Sequence, residues 1–144
     1  MGINLANVII GHMGDVDDME YVTAVADRAG FIGLDRFGLD THYKSDITSS
    51  QRAKLAKKLI DAGYLDKLTF SHDVSCFIDN LDDRRGLGST WEITKGYDLE
   101  THKFQFDYLF RNILPLLREW GVSDEQINQI MVDNPRRFFE RTGK

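Results

Sequence analysis

One recurrence constrains this chain more than any other feature. A short apolar run closes on a polar residue, and a segment of different character follows. The runs are Asn7-Val8-Ile9-Ile10-Gly11-His12, Phe31-Ile32-Gly33-Leu34-Asp35-Arg36 and Leu68-Thr69-Phe70-Ser71-His72-Asp73. Runs this short and this apolar read as buried strands. After the first, Asp15, Asp17 and Asp18 suit the positive end of a helix. Met19, Val22, Val25, Ala26 and Ala29 then recur at helical spacing, and Gly30 stands where a glycine ends a helix. After the second, Thr48-Ser49-Ser50-Gln51 matches a capping box. Ala53, Leu55, Ala56, Leu59 and Ile60 continue that helix, and Gly63 ends it.

After the third run, residues 74–102 show no clear period and carry Gly86, Gly88 and Gly96. Unstructured loops of this length are often lids or binding loops, so 74–102 is expected to be one. A helix follows, with Phe106, Leu109, Phe110, Ile113, Leu114 and Leu117 on one face, a kink expected at Pro115 and an end at Gly121. Ser123-Asp124-Glu125-Gln126 is a second capping box, for a short helix through Met131. Asn134-Pro135 reads as an N-cap and first helical residue, opening a last helix toward Arg141.

Strand–helix alternation implies parallel strands, and so an α/β fold. The polar run ends then share the C-terminal edge of the sheet, where (β/α)-barrel sites lie. Three strands cannot close a barrel of eight, and both outer strands would be open edges. Residues 1–144 are therefore expected to be one unit without a linker, needing either further repeats or self-association to cover its edges.

Composition removes several classes of function. Apolar residues make up 42% and charged residues 28%, as in ordinary globular domains. The net charge of -5 argues against a nucleic-acid partner, which needs clustered Lys and Arg. Arg52, Lys54, Lys57 and Lys58, and the tail group Arg136, Arg137 and Arg141, are expected on solvated helix faces. No run approaches the about 20 apolar residues of a membrane span. Cys76 is the single cysteine, so no intrachain disulfide forms. The start lacks the basic and apolar regions of a signal peptide, and a cytoplasmic location is expected.

His12, Asp35 and Asp73 are the chemically interesting run ends. Imidazole and carboxylate groups converging on a cation are what metal-assisted hydrolysis needs. Pattern alone leaves alternatives open. His12 also fits a strand-end histidine bonded to a carbonyl, and Asp73 a capping or Asx-turn residue.

Four segments carry a resemblance. Gly11-His12-Met13-Gly14-Asp15-Val16-Asp17-Asp18 resembles the GH-x-x-D-x-DD segment of the phosphotriesterase family, in the amidohydrolase superfamily. Residues Ile32 to Asp40 resemble the IGLDR-aromatic-GLD strand of its lactonase branch. Ser71 to Asp79 resemble that branch's SHD-x-x-C-x-ID segment, and Asp133 to Phe139 its closing helix. The segments occur in family order and spacing. The resemblance implies the last three β/α units, strands six to eight, of a (β/α)8 TIM barrel.

It also implies roles. His12 falls where the family has a ligand of its more exposed metal. Asp73 falls at the carboxylate ligand of the more buried metal, which also shuttles a proton. Arg36 and Asp15 match a pair that holds Asp73, with Asp35 supporting the site. A salt bridge at the barrel mouth with no catalytic part is the alternative for that pair. Cys76, Phe77 and Trp91 fall in the substrate loop, where they either contact substrate or fill the loop's own core. Asn80 departs from a tryptophan frequent there, which alters the expected channel. The implied activity is opening of lactones, acyl-homoserine lactones among them, with organophosphate triesters as the alternative substrate and a non-catalytic, self-associating fragment as the alternative function. The implied cofactors are two divalent ions, zinc first and cobalt, iron or manganese as alternatives. The family's HxH pair, bridging lysine and further histidine belong to earlier strands, and no HxH occurs here. The chain alone is therefore expected to be inactive, and to need a complementing N-terminal half or a homo-oligomer.

Overall fold

The computed structural model describes residues 2–40, 47–73 and 106–142. Within them, β1 (Ile9–Ile10), β2 (Phe31–Leu34) and β3 (Leu68–Phe70) form a parallel sheet in the order β1-β2-β3. Ile9 pairs with Phe31, and Ile32 with Leu68. The strands are shorter than the apolar runs. Leu5–Asn7 is instead a 3-10 turn, capped by the Asn4 side chain. All four residues of β2 are buried, as expected of a central strand covered on both faces. Ile9 and Ile10 on β1 remain 36% and 38% exposed.

Helix α1 (Met19–Ala26) starts at Asp18, whose carboxylate accepts from the Tyr21 N–H. It ends earlier than Ala29, and Gly30 is not its terminator. Gly30 lies at the entry to β2, where a Cβ would stand 2.1 Å from the Ala6 carbonyl oxygen. Helix α2 (Ser49–Asp61) has the expected Thr48–Gln51 capping box, and Gly63 follows it with φ of +90°. Its buried stripe of Ala53, Ala56, Leu59 and Ile60 packs into the core with Ile32, Leu34 and Leu68. Leu59 and Ile60 each contribute about 1.5–3 kcal/mol by leaving water, and the two alanines less.

The C-terminal helices differ from the expected breaks. Residues Leu109–Ile113 wind as a π-helix into α3 (Leu114–Glu119), and Gln129–Asp133 do the same between α4 (Asp124–Asn128) and α5 (Asn134–Thr142). Both π stretches end two residues before a proline, Pro115 or Pro135. A proline has no N–H to offer the carbonyl four residues back, and its ring crowds that carbonyl. The wider turn moves the ladder to i→i+5, so Leu114 N–H bonds Leu109 and Asn134 N–H bonds Gln129. Asn134 is thus not an N-cap. Its backbone is helical and its side chain is buried, with Nδ2 donating to the Leu65 and Leu68 carbonyls, both at 2.8 Å. Among the described residues no helix is long and apolar enough to cross a membrane.

Candidate functional site

Parallel pairing brings the three strand exits to one edge of the sheet. A polar residue two or three positions past each strand turns the chain there. His12, Arg36 and Asp73 have φ of 60°, 63° and 58°, and among the described residues they are the non-glycine residues with positive φ. That conformation costs an L-residue with a side chain about 1–3 kcal/mol, and it persists where surrounding contacts fix it. Here the contacts are visible.

The Asp35 carboxylate engages His12 twice. Oδ2 accepts from the His12 backbone N–H at 3.0 Å, and Oδ1 lies 2.9 Å from Nδ1. A carboxylate only accepts, so in a neutral ring Nδ1 carries the proton and Nε2 keeps its lone pair. The imidazole is 51% exposed and its partner is almost buried, so it is held from behind and presented outward. Gly11 makes room, since a Cβ there would stand 3.2 Å from Asp35 Oδ2.

Arg36 joins the other two loops. Its Nε donates to Asp73 Oδ2 at 3.2 Å, and its Nη1 donates to Asp15 Oδ2. Burial alone would make the guanidinium easier to deprotonate. The Asp73 hydrogen bond, with the charge and hydrogen bond of Asp15, outweighs that and raises Arg36 above the ordinary arginine range. His72, beside the site in sequence, is half-buried. Burial holds its imidazole below the ordinary histidine range, with the charge of Asp107 acting the other way.

One member of the site was misplaced by sequence reasoning. Arg52, expected on a solvated helix face, has a side chain only 1% exposed. Its Nη2 donates to Asp15 Oδ1 at 2.9 Å, and its Nη1 lies 3.5 Å from Asp40 Oδ1. Asp40 also accepts from the Ser49 backbone N–H at 2.6 Å and from the Ser49 hydroxyl. The signal was register: Arg52 stands one turn before Ala56 and two before Leu59 and Ile60, on the apolar stripe. Lys58, by contrast, is exposed as expected. Arg137 is a second departure. Its guanidinium lies 5.1 Å from the centre of the Phe31 ring, at the opposite edge of the sheet.

The arrangement thus presents one oriented imidazole and one carboxylate held by a guanidinium. Among the described residues no group of three or more His, Cys, Asp or Glu side chains gathers in a way that could hold a metal ion. Cys76, Phe77, Trp91 and the 74–102 loop, with residues 41–46, lie outside the described residues.

A parallel α/β unit with its polar groups gathered at the strand C-termini has the layout of α/β folds that carry their sites at that edge. Comparison gives the family. The chain belongs to the phosphotriesterase family, whose model matches residues 1–139. It is 34% identical over 142 residues to an aryldialkylphosphatase of Saccharolobus solfataricus, covering 96% of this chain and 40% of that protein. It is 33% identical over 142 residues to a phospho-furanose lactonase of Mycoplasmopsis synoviae, covering 96% and 35%. The structure of the phosphotriesterase from Mycobacterium tuberculosis superposes with a TM-score of 0.75 at 30% identity, over 97% of this chain and 39% of that one. The chain therefore spans about two-fifths of the length of the relatives it matches.

Proposed function

We propose that the chain supplies the last three β/α units, strands six to eight, of a (β/α)8-barrel metal hydrolase that opens lactones. The observation that carries this reading is the strand-exit edge: His12, Arg36 and Asp73 share one unusual backbone conformation there, and Arg36 ties Asp73 to Asp15. The donor set fits a divalent cation. The Asp35 contact leaves His12 Nε2 as the ligating nitrogen, the usual arrangement for a metal-bound histidine. Asp73 accepts from Arg36 through Oδ2, which keeps Oδ1 available on the same carboxylate.

In this reading His12 and Asp73 are two ligands of a site completed by earlier strands. His12 and Asp73 would help hold divalent ions, zinc first among them, which when bound would supply Lewis acidity and a more acidic water. The chain's own part is positional. Asp35 fixes the imidazole tautomer, and Arg36 holds Asp73 and balances its charge. Asp73 takes up a proton as the tetrahedral intermediate collapses, the task of a general base placed beside the reacting oxygen. The lactone assignment is supported by the Ser71–Cys76 segment, by Arg36, and by a similar protein named as a lactonase. A second reading, organophosphate triester hydrolysis, is favoured by the similarity to an aryldialkylphosphatase. Catalytic zinc sites use three protein ligands, so the chain by itself is inactive in either reading.

The open edge of the sheet fits a chain that needs a partner. An apolar groove of about 290 Å³ runs beside β1, lined by Leu5, Val8, Ile10, Tyr21 and Val25 among others. A complementing N-terminal half or a second copy would cover it; the protein is read as cytoplasmic. The experiment joins the chain to the N-terminal part of a relative, in one polypeptide or two, and measures metal content and lactone hydrolysis. Metal-dependent hydrolysis is expected, with loss on Asp73→Ala. A metal-loaded, folded barrel that opens no lactone overturns the reading.

A further inference from the structure

We propose that Arg52 is a positioning residue for Asp73, acting through Asp15 and Arg36. The side chain is anchored before it reaches the site. Thr48 and Gln51 fix the start of α2, and Arg52 stands one turn into it. Its stem lies across the loop after β1, where a Cβ on Gly14 would stand 3.2 Å from its Cγ and Cδ. At the far end, Arg52 Nη2 holds Asp15 Oδ1, which leaves Oδ2 of the same carboxylate for Arg36. Arg36 then spends its Nε on Asp73.

Charges alternate along the chain Asp40, Arg52, Asp15, Arg36, Asp73, and exposure rises from Arg52 outward to Asp73. Arg52 is 1% exposed, Asp15 and Arg36 are 21%, and Asp73 is 41%. An ion pair at Asp73's exposure is ordinarily weak, because ordering two free side chains costs as much as the contact returns. Arg36 escapes that cost only if Asp15 is already held. Arg52 is the buried group that holds it, so α2 sets the position of a carboxylate it never touches. Only the consequence for metal binding rests on the proposed function; the positioning itself does not.

The test uses the full 144-residue chain, labelled with ¹⁵N, and reads solvent exchange of the Arg36 Nε–H. Slow exchange is expected in the wild type, and fast exchange there already overturns the proposal. Arg52→Met keeps the stem and removes the donors. It should speed Arg36 Nε–H exchange about tenfold, as loss of an ordering hydrogen bond does, while backbone amides of β2 keep their protection. Arg52→Lys should restore part of the slowing. Leu59→Ala destabilises the core away from the chain of charges and should leave Arg36 exchange unchanged relative to the β2 amides. A folded Arg52→Met protein with wild-type exchange at Arg36 overturns the proposal. Should Arg52→Met not fold, Gly14→Ala presses on the Arg52 stem by a few tenths of an ångström; an unmoved Arg36 signal there overturns it equally. Metal uptake by the complemented barrel separates the two ideas. Slow Arg36 exchange that depends on Arg52, without metal uptake, rejects the hydrolase reading and keeps the positioning one.

Discussion

The two ends of the same three strands use polar side chains in opposite ways. At the C-terminal edge side chains bind mainly side chains: Asp35 to His12, Arg36 to Asp15 and Asp73, Arg52 to Asp15. At the N-terminal edge they bind backbone. Asn134 donates to the Leu65 and Leu68 carbonyls, Lys67 to Ala29, and Arg137 to Asp66. The second pattern stitches strand entries to a helix and leaves little chemical freedom. The first leaves a ring nitrogen and a carboxylate oxygen facing outward. A substitution at one edge should therefore move stability, and at the other the site, and each prediction below tries to break that division.

Asn134→Leu should have the largest effect on stability. The amide is 1% exposed and satisfies two carbonyls at 2.8 Å. Removing it takes this donor from the buried Leu68 carbonyl, while the Leu65 carbonyl keeps the Leu68 N–H, a cost of about 1–3 kcal/mol. Denaturant unfolding reads this directly. A loss below about 1 kcal/mol would mean that water reaches the entry to β3, and the stitching account would fail.

Asp35→Asn probes the other edge. An asparagine keeps the shape of Asp35 but offers an N–H where His12 needs an acceptor. The ring then has reason to turn its lone pair inward, toward Nδ1. In the complemented barrel metal affinity should fall about 10- to 100-fold, as for other partners of metal-bound histidines. Stability of the chain should change by less than about 1 kcal/mol, since the imidazole is half exposed. A large stability loss with intact metal affinity would reverse the assignment of the two edges.

Sequence patterning reached the site further than it reached the helices around it. Parallel sense, the Thr48–Gln51 cap and the strand-end residues follow from local periodicity, and local periodicity is what a sequence displays. Arg52 was lost because a charged residue on a helix ordinarily faces water. Its burial depends on Asp15 and Asp40, which are 37 and 12 positions away in the chain. Asn134-Pro135 has the same appearance whether it begins a helix or continues one. Only the carbonyls of Leu65 and Leu68, brought close by the fold, decide between them. The link between Arg36 and both carboxylates came from family likeness; spacing along the chain contains no trace of it.

Lys67→Met should have the smallest effect, and it tests whether the stitching extends beyond Asn134. Lys67 Nζ donates to the Ala29 carbonyl at 3.0 Å, part-buried, at the turn into β2. Methionine keeps most of the stem packed and removes one donor. The loss should be about 0.5–1.5 kcal/mol, the net value of one intramolecular hydrogen bond. Lys57→Met provides the scale. Lys57 pairs with Asp61 four residues on, at 2.6 Å, on the solvent side of α2, and an exposed pair of that kind contributes about 0.3–0.5 kcal/mol. If both substitutions cost the same, the N-terminal edge has no special hold on its lysine, and its stitching reduces to Asn134 and Arg137. A larger cost at Lys67, with metal uptake of the complemented barrel unchanged, would show that charge at this edge serves the backbone while charge at the other serves the site.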